Sequence, residues 1–186
     1  MGTETPVLAK GKLEIVSKYF RKMKGSKRTA PLYAPPGLDI LLSWLGAFLG
    51  IGTVAVLSLV YKMPLIVPSL GASAVLVYGI PDAPLAQPRN VILGHTISAS
   101  IGVICYTFFG LVWWSAALAT AMAIGAMLVT KTTHPPAGAT ALIAVLTKAS
   151  PIYILTPVGA GAAILVLVGL LTNNLSPNRS YPKYWF

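Results

Sequence analysis

Carboxylates are scarce: four Asp and Glu in 186 residues, against fourteen Lys and Arg. Charged residues make up 10% of the chain, well below the roughly 25% of a soluble domain. With 55% hydrophobic residues and a mean hydropathy of +0.75, this excludes an ordinary soluble globule and points to an integral membrane protein. No Asp or Glu falls inside an apolar run, since Asp39 and Asp82 sit at segment ends. A carboxylate proton relay or a sodium cage in the membrane is therefore disfavoured. Cys105 is the only cysteine, which excludes an intrachain disulfide and reads as a small core residue. Two histidines and one cysteine leave no credible zinc set. No metal or cofactor is implied, and no nucleophile–base pair beyond Ser73 or Thr140 with His134 can be assembled, so an enzyme is not expected. No secretory signal peptide is expected, because the first 30 or so residues are polar and basic.

The net charge of +10 is distributed in a way that argues against nucleic acid. Eight of the fourteen basic residues lie between Lys10 and Arg28, ahead of the first apolar run. The others stand singly at segment ends: Lys62, Arg89, Lys131, Lys148, Arg179 and Lys183. Such juxtamembrane basicity suits anionic lipid headgroups on the cytoplasmic leaflet. Between Lys10 and Lys24, Leu13, Val16, Phe20 and Met23 recur at spacings of three and four, as in a basic amphipathic helix lying on the membrane. A partly disordered positive tail is the plainer alternative. Residues 1–37 are thus read as this segment plus a Pro-rich linker, 38–174 as the transmembrane domain, and 175–186 as a cytoplasmic C-terminal tail.

A helical span needs about 20 apolar residues. Four stretches qualify, roughly 38–61, 91–110, 111–130 and 152–173, with Trp113 and Trp114 suited to an aromatic belt at the turn between the middle two. Two more stretches, roughly 63–81 and 131–148, are too short and too broken for ordinary spans. They match each other: PSLGASAVL from Pro68 aligns without gaps to PPAGATALI from Pro135. Each copy lies between long apolar segments, and Trp44 and Trp114 occupy similar places ahead of them. The fold expected is an all-α polytopic membrane protein of two repeats, about 38–110 and 111–174, each a span, a broken half-helix and a span. Chance likeness of small-residue segments is the alternative.

Proline at a helix start loses only a donor that would have been unpaired, so Pro68 and Pro135–Pro136 should open half-helices of about 12 residues, or roughly 18 Å. Gly71, Ala72, Ser73 and Gly138, Ala139, Thr140 should let those helices pack closely. If each broken segment crosses, both termini, Arg89 and Lys131 fall on the cytoplasmic side, leaving Lys62 and Lys148 as exceptions. Three crossings per repeat invert one half relative to the other, so the two half-helix N-termini enter from opposite sides and converge. A helix N-terminus carries roughly +0.5 charge. Two of them facing one point would hold a small anion without a fixed lysine. The substrate-binding residues expected are Ser69, Leu70, Gly71, Ala72 and Ser73 in the first copy and Pro136, Ala137, Gly138, Ala139 and Thr140 in the second. His134 at the mouth of the second half-helix joins them, as does His95, although a neutral histidine bonded to a carbonyl is the bland reading of either.

PSLGASAVLV (68–77), PLAQPRNVILGH (84–95) and THPPAGATAL (133–142) together resemble the HPP family of integral membrane proteins, named for the His-Pro-Pro that stands here as His134-Pro135-Pro136. The resemblance covers roughly 35–175. It implies four spanning helices and an origin in bacteria, including cyanobacteria, or chloroplasts, where similar proteins are implicated in nitrite transport. A bacterial plasma membrane and a homo-oligomer are the corresponding expectations. No appended regulatory domain of the kind some relatives carry is visible. The residues alone reach a transporter or channel for a small monovalent anion, and the resemblance adds nitrite. The rival class is a non-transporting scaffold or assembly factor.

Overall fold

The computed structural model describes residues 34–60 and 67–185, together with Glu14, Ser17 and Lys18. The chain divides into two units, Met1–Ala34 and Pro35–Phe186. In the first, Glu14, Ser17 and Lys18 are helical and exposed. The rest of the amphipathic segment expected over Lys10–Lys24 lies outside the described residues, as do residues 29–33 of the linker.

The second unit is helical throughout, with no strand among the described residues. Helix α1 spans Gly37–Val60, and α2 spans Pro68–Ala74 and runs on through a π turn, Val75–Gly79. A 3-10 turn at Pro84–Ala86 leads into α3, Pro88–Phe109. Helices α4 (Trp113–Val129) and α5 (Pro135–Leu146) follow. A π turn at Ile154–Gly159 then feeds α6, Ala160–Asn173. Prolines open α2, α3 and α5, and the residues before them, Val67, Gln87 and His134, are extended because a following proline disfavours the helical region. Gly110 ends α3 with φ of +71°, and Lys131 and Lys148 turn the chain after α4 and α5 with φ of +56° and +54°.

Three helices are long and apolar enough to span: Gly37–Val60, Pro88–Phe109 and Ile154–Asn173. The fourth long span expected, 111–130, shortens to the 17 residues of α4. The turn at Gly110–Val112 consumes its first residues and Thr130–Lys131 its last. Trp113 and Trp114 are exposed at that turn, with Trp114 against Phe109 at 5.1 Å, as an aromatic belt requires.

Hydrogen bonds between elements show which ends lie together. Ser43 in α1 donates to Tyr78 O (2.6 Å), and Asn173 donates to Val77 O (2.9 Å). The start of α1, the end of the first π turn and the end of α6 therefore share one end of the bundle. Arg89 donates to Thr130 O (3.1 Å), Asn90 to Thr133 O (2.9 Å) and Tyr181 to Ala86 O (2.9 Å), which adds the start of α3, the end of α4 and the C-terminal stretch to that same end. Helix α5 starts there and runs away alongside α3, so it lies antiparallel to α2. Lys148, following α5, is toward the opposite end from Arg89 and Lys131.

Small residues let α3 and α5 touch. A Cβ added at Gly102 would meet Ala141 O and Ala144 Cβ at 2.6 Å, and one at Gly94 would meet His134 Cβ at 2.9 Å. Gly46 and Gly50 of α1 leave room for the ring of buried Tyr78, whose hydroxyl donates to Leu165 O in α6 (3.0 Å). The close crossing expected at Gly71 and Gly138 is not where the helices meet. Neither has an atom within 4 Å of its Cβ position, and Gly71 is exposed. At about 100° per residue, the inward face of α2 belongs to Ser69 and Ser73, one turn apart, and Gly71 points away. Cys105 is free and packed among Ala116, Ala119 and Ala123.

The C-terminal stretch is part of the fold. Arg179 donates to Tyr78 O (3.0 Å), Asn173 Oδ1 (3.2 Å), Asp39 O (2.9 Å) and Ser43 Oγ (3.0 Å), and its Nε lies 3.7 Å from Asp39 Oδ2. Ser176 donates to the other Asp39 oxygen at 2.5 Å. Asp39, in the first turn of α1, is favourably placed near the positive helix end and is 1% exposed.

Two stability predictions follow from these contacts. Gly102→Ala forces α3 and α5 apart and should destabilise by about 1–3 kcal/mol, whereas Gly71→Ala meets nothing and should leave thermal unfolding in detergent unchanged. Equal melting temperatures for the two variants would place the close crossing elsewhere. Arg179→Ala strands Asp39 in a buried site and should cost about 3–5 kcal/mol. Lys183→Ala, which removes an exposed 3.0 Å pair with Asp82, should cost about 0–1 kcal/mol in the same denaturation experiment.

Candidate functional site

Where α2 and α5 lie side by side, five side chains join into one buried hydrogen-bond chain. Ser69 Oγ is 2.8 Å from Thr140 Oγ1, and Thr140 Oγ1 is 2.7 Å from His95 Nδ1. His95 Nε2 is 2.6 Å from Ser73 Oγ, which is 2.8 Å from His134 Nε2. The chain ends where His134 Nδ1 meets Leu85 O at 2.8 Å. Ser73, His95, His134 and Thr140 are each 0% exposed, and the two imidazoles stand edge to face at 5.0 Å.

Local sequence explains why these groups meet. Ser69 and Ser73 are four apart, so one helical face of α2 presents both. Pro135 holds His134 extended just ahead of α5, and Thr140 lies nearly two turns further on. Antiparallel packing then sets Ser69 beside Thr140 and Ser73 beside His134. His95 enters from α3 between them, admitted by the close approach of Gly94 to the backbone at Thr132.

With both rings neutral, a single proton order places one proton in each of the five contacts of this chain. Leu85 O can only accept, so His134 carries its proton on Nδ1 and presents a bare Nε2. Ser73 has one proton and two acceptors, that Nε2 at 2.8 Å and Ser69 O at 3.0 Å, and only donation to Nε2 puts a proton in the contact with His134. Ser73 Oγ then accepts from His95, whose proton is on Nε2. His95 Nδ1 accepts from Thr140, and Thr140 accepts from Ser69. The two histidines thus hold opposite tautomers.

Five of the residues expected at the site, Ser69, Ser73, His95, His134 and Thr140, are brought together. Leu70 is buried against Gly161 of α6 and serves packing. Pro136, Ala137 and Gly138 are buried in the first turn of α5, and open space adjoins Gly138. Gly71, Ala72 and Ala139 are exposed, because helical rotation carries them away from the face that bears the hydroxyls. The expected head-on convergence of N-termini is replaced by a side-by-side overlap. Free backbone donors are also fewer than expected: Pro135 and Pro136 have none, Leu70 N bonds Val67 O (2.8 Å), and Ala137 N bonds His134 O (2.9 Å). The polar groups of the site are consequently side chains.

Other contributors escaped sequence reasoning. Leu85 acts only through its carbonyl, which no residue type could signal. Tyr153 donates to Thr140 O at 3.4 Å across a gap in sequence that nothing local spans. Asn90 and Gln87 lie within the PLAQPRNVILGH motif; Asn90 anchors Thr133 O, and Gln87 donates to Pro81 O (2.8 Å) and Ala83 O (2.9 Å), shaping the loop that presents Leu85. A buried amide in a loop could have been suspected from that motif. Among the described residues no third His, Cys, Asp or Glu joins the two histidines to make a metal set.

Apolar helices of spanning length that enclose a polar chain define a polytopic α-helical membrane protein. The chain belongs to the HPP transmembrane family, whose description, "HPP, transmembrane region", matches residues 33–182. It is similar to two transmembrane proteins of Dictyostelium discoideum. One is 40% identical over 184 residues, covering 90% of this chain and 57% of the relative. The other is 37% identical over 185 residues, covering 92% and 64%. The chain therefore spans less than two thirds of the length of these relatives. No solved structure matches it significantly.

The tautomer assignment has a direct test. With only two histidines in the chain, histidine-selective 15N labelling of tag-free protein reports two rings. His95 should show its proton on Nε2 and His134 on Nδ1. Two rings of the same tautomer would overturn the proton order.

Proposed function

We propose that the protein is a membrane transporter or channel for a small monovalent anion. The observation that carries the reading is the buried chain of hydroxyls and imidazoles set between two proline-led short helices, in the centre of a largely apolar bundle. Buried polar groups in a membrane domain are expensive and are kept where they serve a path or a site. Hydroxyl and imidazole donors suit an anion, and no carboxylate is bonded to the chain among the described residues to repel one. Nitrite is the substrate that the family resemblance favours. Both termini are proposed to face the cytoplasm of a plasma membrane, with the basic N-terminal segment on anionic headgroups. The exposed apolar faces, such as that of Trp44 and Phe48 on α1, suit lipid or a second copy.

Ser73 and His134 form the pair that nucleophilic catalysis would require. Ser73 Oγ is already shared among His95, His134 and, at 3.0 Å, Ser69 O, so we read it as a relay of hydrogen bonds and the protein as no enzyme.

Liposomes holding only this protein should take up nitrite faster than protein-free vesicles, with chloride and formate as comparison anions. His134→Ala removes the ring whose Nδ1 proton, given to Leu85 O in this structure, would turn to a charged partner, a loss of about 1.5–3 kcal/mol, so uptake should fall about tenfold or more with assembly retained. His134→Gln, which keeps a donor, should retain more uptake than Ala. Absence of flux for every anion with well-folded wild type would favour the scaffold reading, and normal uptake by His134→Ala would remove His134 from the path.

A further inference from the structure

We propose that the chain from Ser69 through Thr140, His95 and Ser73 to His134 is a proton relay that carries one proton with each anion, making transport electroneutral. The proposal rests on the anion reading above and adds the coupling ion. Its basis is continuity: five hydrogen bonds of 2.6–2.8 Å link Ser69 to Leu85 O without a gap, and each interior side chain both donates and accepts. Hydroxyls and imidazoles are the groups that can pass a proton by accepting at one atom and releasing at another.

The step balances atom by atom. A proton taken from hydrated solvent by Ser69 Oγ releases Ser69's own hydroxyl proton to Thr140 Oγ1, and Thr140's proton passes to His95 Nδ1. His95, already protonated on Nε2, is now imidazolium. Its Nε2 proton moves to Ser73 Oγ and Ser73's moves to His134 Nε2, leaving His95 neutral and His134 imidazolium. Water in place of Leu85 O accepts the Nδ1 proton of His134. One O–H or N–H bond forms for each that breaks, and one positive charge enters and leaves. Rotation of the hydroxyls and return of each ring to its starting tautomer reset the chain.

The surroundings explain why proton and anion would travel together. The titratable groups on elements packed against the chain are few: Asp39 on α1, held by Arg179 and Ser176, Tyr78 on the π turn after α2, Arg89, Cys105 and Tyr106 on α3, Tyr153 before α6, and Tyr181, which bonds Ala86 O beside Leu85. Lys131 stands exposed between α4 and α5. Arg89 is engaged with Thr130 O, and Tyr153 touches the chain only through Thr140 O. Helices α4, α5 and α6 contribute no charged side chain. A monovalent anion entering this bundle meets no fixed cation on the chain, and an imidazolium at His95 or His134 supplies the compensating charge.

The test uses the full chain in vesicles loaded with a pH-sensitive dye, with potassium and valinomycin holding the potential at zero. Under an acid-outside gradient, wild type should import nitrite and protons together, above the leak of protein-free vesicles. Ser73→Ala breaks the link between the rings, and Thr140→Val cuts the chain upstream at nearly constant volume. Each should lower this coupled import about tenfold or more, the loss of one hydrogen bond to a charged group. Ser98→Ala, which removes a buried hydroxyl of α3 bonded among the described residues only to Met127 Sδ (3.9 Å), should leave it unchanged. Wild-type uptake that follows an inside-positive potential, ignores the pH gradient and brings in no proton overturns the relay and leaves anion transport standing. Coupled import at wild-type level by folded Ser73→Ala and Thr140→Val overturns it as well. No nitrite uptake by wild type under either gradient brings down the anion reading and the relay with it.

Discussion

Ser73 Oγ is the atom on which the interior of this protein depends. It sits in an apolar bundle where water is not at hand to satisfy polar groups, so each buried donor must find an acceptor within the protein. One hydroxyl between two imidazoles can meet that requirement in a single proton order, and the Leu85 carbonyl sets it. The requirement extends outward. Thr140 must face His95, which demands that α3 and α5 lie in contact, and that contact exists because Gly94 and Gly102 carry no side chain.

A second polar cluster holds one end of the bundle. Arg179 reaches back across the fold to Asp39, Ser43, Tyr78 O and Asn173, and Ser176 completes the coordination of Asp39. A buried ion pair with this many further hydrogen bonds offsets its desolvation better than a bare pair could. Functionally the two clusters differ. The end cluster is built of groups tied to carbonyls and a carboxylate, which lock geometry. The central chain is built of groups that can each reverse donor and acceptor roles, the property on which the proposed path rests.

The arrangement of α2 and α5 also changes how an anion would be held. Convergent helix ends would offer a ring of backbone N–H groups, whereas the overlapped helices spend theirs on Val67 and His134 carbonyls or lack them at proline. Under the proposed function, selectivity would fall to hydroxyls and imidazoles, whose positions depend on packing between three helices.

Much of the fold was legible in the residues themselves. Apolar runs of spanning length, prolines at helix starts and the near-repetition of Pro68–Leu76 in Pro135–Ile143 are local properties, and the helices stand close to where those properties put them. The pairing of Ser69 with Ser73 on one face follows from their spacing, and the three motifs mark both histidines as belonging to the centre. Tertiary structure alone decided the rest. The side-by-side placement of α2 and α5 is a packing outcome, and the small residues that touch are Gly94 and Gly102, which bring α3 against α5, while Gly71 faces outward. That His95 would stand between Thr140 and Ser73, and that a leucine carbonyl would orient His134, depends on contacts between residues far apart in the chain. A sequence states which groups can donate and accept; only the folded chain states which donor meets which acceptor.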